Sequence, residues 1–206
     1  MAVVSNGTTI IDAGALGAGV PTGKMTLIKT LTASSSATLS FVDGAASVVL
    51  DDTYDSYVFK FINMHPATNA VQFSFQTNAV GASGYNETIT STAFDAYQNE
   101  NNSGAGLEYS AARDQAQGTA FQQFNDGLSN SADDSISGTL QLFNPSSTTF
   151  VKHFIGDSNT SYNGGLSVNW KIAGYINTTS AIDEIQFKMS SGNIDSGVIK
   201  LYGIGG

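Results

Sequence analysis

The 206-residue sequence is 41% hydrophobic but only 12% charged, and its 17 acids against 8 bases give a net charge of −9. Soluble domains average about 25% charged residues, so Ser, Thr, Asn, Gln and Gly carry the polarity here. Cysteine is absent, which excludes disulfides, a thiolate nucleophile and a Cys-based zinc site, and a supply of bases limited to Arg113 and seven lysines argues against a nucleic-acid partner.

Residues 1–24 read as an N-terminal arm. Its apolar side chains Val3, Val4, Ile10, Ile11, Leu16 and Val20 are interrupted by Gly7, Gly14, Gly17, Gly19, Pro21 and Gly23. Such a segment cannot bury a core by itself, but it can lie across another surface or add to a sheet edge. The first residues lack the charged and long apolar regions of a secretory signal. No run approaches the ~18 apolar residues of a membrane helix, so neither an export label nor a membrane partner is expected.

Residues 25–206 read as one all-β domain. Met25 to Thr32 alternates, Ala33-Ser34-Ser35-Ser36 predicts a break, and Ala37 to Phe41 resumes before the turn pair Asp43-Gly44. Ser47 to Leu50 leads into a polar loop holding Asp51, Asp52 and Asp55. Tyr57, Phe59 and Phe61 then share one face of a strand, with Val58, Lys60 and Ile62 on the other, a period of 2 built from bulky β-formers. Val71, Phe73 and Phe75 are expected to return beside it as a hydrophobic hairpin. Fully buried, each such side chain contributes roughly 1.5–3 kcal/mol.

Residues 78–136 are less regular. A strand is expected from Glu87 to Tyr97, a short helix or strand between Ala111 and Phe124, and large loops at one end of the domain. Eight acids and a single base, Arg113, lie between Glu87 and Asp134. Alternation returns at Gly138–Pro145, which predicts pairing with Thr149–Phe154. Val168, Trp170, Ile172, Gly174 and Ile176 share a face, as do Ile185, Phe187 and Met189, and Gly197–Ile204 closes the chain. With about ten strands and no amphipathic helix, the expected fold is an antiparallel two-sheet sandwich with jelly-roll-like winding.

Catalytic motifs are missing. His65 and His153 fit no metal spacing, no G-x-S-x-G elbow occurs, and Gly14–Gly19 is glycine-rich without a phosphate-loop context. Asp183 and Glu184 are a poor glycosidase dyad because neighbours on a strand face opposite ways. The Asp51/Asp52/Asp55 cluster and the Asp133/Asp134 pair could supply calcium oxygens, but neither follows an EF-hand spacing, and solvated turns account for them. No enzyme, cofactor or metal is expected. Tyr85, Tyr97, Tyr109 and Tyr162 fall in loop-like contexts beside Asn and Gln, where they suit sugar stacking or a protein interface equally well.

Four segments carry a family likeness: Leu27–Ser35, Tyr57–Pro66, Leu142–Ser147 and Ile185–Ile194. Together with the terminal Gly197–Ile204 they resemble virion structural proteins of tailed bacteriophages, marine ones in particular. The resemblance spans residues 25–204 and implies a jelly-roll protein on the particle exterior, made in the host cytoplasm. A capsid decoration or cement protein is the first expectation, held to the major capsid or another virion protein by residues 1–24. A head or tail fibre module that binds host-surface glycan through the tyrosine-bearing loops is the alternative. Particles present symmetric sites, so a homo-oligomer is expected, with a trimer as the guess.

Overall fold

The computed structural model describes residues 2–12, 15–16, 25–162 and 165–205. Among these, sixteen strands and no helix are present. The arm holds β1 (Val3–Ser5), β2 (Thr8–Asp12) and β3 (Ala15–Leu16). They form a three-stranded antiparallel meander that shares no strand with the other two sheets. Val3, Val4 and Ile11 are exposed on it, and Val20 lies outside the described residues.

The domain begins with β4 (Met25–Ser36), β5 (Leu39–Val42), β6 (Ser56–Pro66) and β7 (Phe73–Ala79). Next come β8 (Ile89–Asn99), β9 (Ala105–Tyr109), β10 (Gln115–Gly118) and β11 (Gln122–Gln123). It ends with β12 (Ile136–Phe143), β13 (Lys152–Tyr162), β14 (Leu166–Ile176), β15 (Ile182–Met189) and β16 (Ile194–Ile204). The larger sheet runs β10-β8-β14-β13-β12-β6-β16-β4, with β9 also on β8, and the smaller runs β11-β7-β15-β5.

Eight of these strands pair in nested fashion. β4 pairs with β16, β5 with β15, β6 with β12 and β7 with β11. That nesting over two antiparallel sheets is the jelly-roll winding expected from the alternation. The remaining strands, β13, β14 and β8 to β10, extend the larger sheet beyond β12.

Two local expectations are corrected. The hydrophobic hairpin of β6 with β7 does not form: the two strands lie in different sheets, and Phe61 meets Phe73 across the core with ring centroids 5.2 Å apart. Alternation fixes which face a side chain takes but not which strand lies alongside. The predicted break at Ala33–Ser36 is absent because the strand runs on to Ser36, paired there with Ile194. Ser35 takes a positive φ of 50° and its carbonyl accepts from Asn193 Nδ2 at 2.9 Å.

The core lies where the two sheets overlap. Phe187 of β15 sits 5.5 Å from Phe59, 5.9 Å from Phe73 and 6.3 Å from Phe41, so one ring ties β5, β6, β7 and β15 together. Phe124, which follows β11, continues the cluster through Phe61, Phe73 and Phe75. The irregular region therefore contributes a long strand, β8, and a core anchor rather than loops alone.

Candidate functional site: an aromatic pocket on the sheet overhang

The larger sheet outruns the smaller one, so the inward face of β14, β8 and β9 is only partly covered. The inward register of β8 is Ile89, Ser91, Ala93, Asp95 and Tyr97, with the first four buried. Toward its far end this row turns from apolar to polar and opens into a pocket of about 470 Å³. That is a small-ligand size.

Strand register builds the floor. Asp95 stands opposite Glu108 of β9 on one side and Trp170 of β14 on the other. Tyr97 stands likewise between Gly106 and Val168. A Cβ at Gly106 would come within 2.7 Å of the Tyr97 ring, so glycine lets the ring lie flat on the neighbouring strand. The walls are Tyr109 to Ala112, Asp126, and Tyr162 at the end of β13. Tyr162 packs on Gly127, where a Cβ would meet the ring at 2.9 Å.

Hydrogen bonds hold the wall residues. Tyr109 Oη donates to Asp114, which pushes the phenol above its ordinary range. Arg113 pairs with Asp126 and donates through Nη1 to Gln123 Oε1 at 2.7 Å. Asp95 has no such support. Burial first, and then the charge of Glu108, raises its carboxyl above the usual carboxylate range.

Three of the four sequence-predicted tyrosines, Tyr97, Tyr109 and Tyr162, thus line one pocket, but from strands β8, β9 and β13 rather than from the expected loops. Tyr85 lies apart, its hydroxyl donating to Glu184 Oε2 at 2.6 Å. Sequence reasoning missed Asp95, Glu108 and the role of Trp170. The signal for Asp95 was available, because it is a charged residue in an inward strand register that otherwise starts Ile89, Ser91, Ala93. Trp170 was legible only as a core-facing residue.

Other candidates lie away from this pocket, and His65, Asp133 and Asp134 line a second, more polar one with Asp195. His65 Nε2 lies 3.1 Å from the Ser131 carbonyl and its Nδ1 3.7 Å from Asp195, whereas His153 is exposed on β13 with its ring centroid 6.2 Å from that of Tyr175. Among the described residues, no three His, Asp or Glu side chains gather as a metal site. Asp51 accepts from the Thr53 amide at 2.8 Å as a turn residue.

No family model and no curated protein matches the chain. A solved structure from Bacteroides ovatus, described as a structural-genomics protein of unknown function, is similar over 51% of this chain and 45% of its own, at 8% identity and a TM-score of 0.27. The match thus spans less than half of that protein.

Proposed function

We propose that the chain is an external structural protein of a tailed bacteriophage particle, of the decorating or cementing kind, and that it docks rather than catalyses. The observation that carries this reading is the arm. Val3, Val4 and Ile11 are exposed on a small sheet that shares no strand with the sandwich, and apolar side chains displayed in this way suit burial against a partner such as the major capsid protein. The resemblance of residues 25–204 to phage virion proteins supports the same placement. Deleting residues 1–24 is expected to abolish binding to particles, measured by co-sedimentation, while the thermal unfolding of the sandwich stays unchanged. Undiminished co-sedimentation would remove the decorating role.

A second reading has its own observation. Tyr97, Tyr109 and Tyr162 converge with Trp170 on one open pocket, and aromatic faces of this kind stack on the apolar faces of sugars. The sandwich would then recognise a surface glycan. The two readings are compatible, since the arm and the pocket are different parts of the chain.

A further inference from the structure

The charge pattern of the aromatic pocket exceeds what sugar stacking requires. Asp95 is only 6% exposed, yet it lines the pocket. Among the described residues its carboxylate has no hydrogen-bond donor and no cationic partner. A buried charge is ordinarily paired. Glu108 stands directly across the β8–β9 ladder from it, and like charges opposite one another destabilise a strand pair. Asp126 is already engaged by Arg113, and among the described residues no lysine or arginine lines the pocket. Around the two unpaired acids stand Trp170, Tyr97, Tyr109 and Tyr162, whose ring faces attract cations.

We propose that this pocket binds a sugar carrying a free, protonated amine, with the ammonium between Asp95 and Glu108 and the sugar body against Trp170 and the tyrosines. This rests on the glycan reading of the pocket and adds the ligand's charge. A neutral sugar would offer Asp95 hydroxyl donors but no counter-charge for the two acids, and a bare metal ion would leave the aromatic walls unused. An ammonium pairs with both carboxylates, relieves their repulsion and still presents ring faces for stacking. The net charge of −9 favours the approach of such a cation.

Isothermal titration of the full chain with a glucosamine oligosaccharide and with its N-acetylated counterpart, at low salt and just below neutral pH, tests the assignment. The free-amine oligomer is expected to bind at least about tenfold more tightly. Asp95→Asn and Glu108→Gln should each weaken that binding by about tenfold and so bring it toward that of the acetylated oligomer. Asp52→Asn, an exposed acid outside the pocket, should have no effect. Equal affinity for the two oligomers, or an equal loss in the Asp52 variant, would overturn the ammonium assignment and leave glycan binding standing. Failure of both oligomers to bind would remove the assignment and count against the glycan reading with it.

Discussion

Asp95 is the residue at which stability and binding pull apart. Its carboxyl is raised by burial and by Glu108, so the folded chain holds this proton more tightly than the unfolded chain does. With the folded pKa above the unfolded value of about 3.9, Asp95 contributes stability below the unfolded pKa and loses it as the pH rises through the folded one. Asp157 works in the opposite sense. Burial raises its carboxyl, but hydrogen bonds from Lys171 and Asn169 and the charge of Lys171 outweigh that and hold it low, so its contribution is present at neutral pH and fades on acidification. Asp95→Asn should therefore raise the melting temperature at neutral pH and remove the part of the pH dependence lying just above the ordinary carboxylate range. A variant that melts below the parent chain at neutral pH would show that Asp95 is a structural acid and not a strained one. The tyrosines stood out in the sequence, and the strand that carries Asp95 was expected from Glu87 to Tyr97, but Asp95 itself was passed over. Their convergence was not legible, because it comes from the registers of β8 with β9 and of β8 with β14.

At the scale of elements, alternation identified most of the long strands and their buried faces. The inward residues Tyr57, Phe59 and Phe61 are all buried, and β12 pairs with β13 as the spacing across Ser146-Ser147 predicts. Where it failed, the missing information was long-range. Whether β7 returns beside β6 or crosses to the opposite sheet depends on its pairing with β11 and β15, and no local period encodes a strand's partners. The same ladder arrangement makes the elements unequal. β6 is paired on both sides, by β12 and β16, whereas among the described residues β9 pairs with β8 alone and four of its five residues are exposed. Amide hydrogens of β9 should exchange much faster than those of β6, since edge segments open locally while central strands open only with the whole domain. Comparable protection in the two strands would mean that β9 is covered in solution, as by a second copy of the chain.

The whole molecule is a jelly roll with one sheet extended. The nested eight strands supply most of the core, and Ile89 and Ala93 of β8, Phe154 of β13 and Ile172 and Ile176 of β14 extend it. The extension carries β14, β8 and β9 past the cover of the smaller sheet, so their inward face changes from core to pocket floor along a single row of residues. Trp170 shares its face with Val168 and Ile172, as the alternation predicts, and is buried there while also lining the pocket. The fold thus separates an apolar arm suited to docking from an aromatic, acidic pocket suited to ligand. Trp170 is the chain's single tryptophan and it lines that pocket, so its fluorescence reports occupancy without a label. Titration with the free-amine glucosamine oligosaccharide should change Trp170 emission saturably, and Tyr97→Ala should abolish the change while the fold is retained. Binding seen by calorimetry with Trp170 emission unmoved would place the ligand elsewhere and contradict the account.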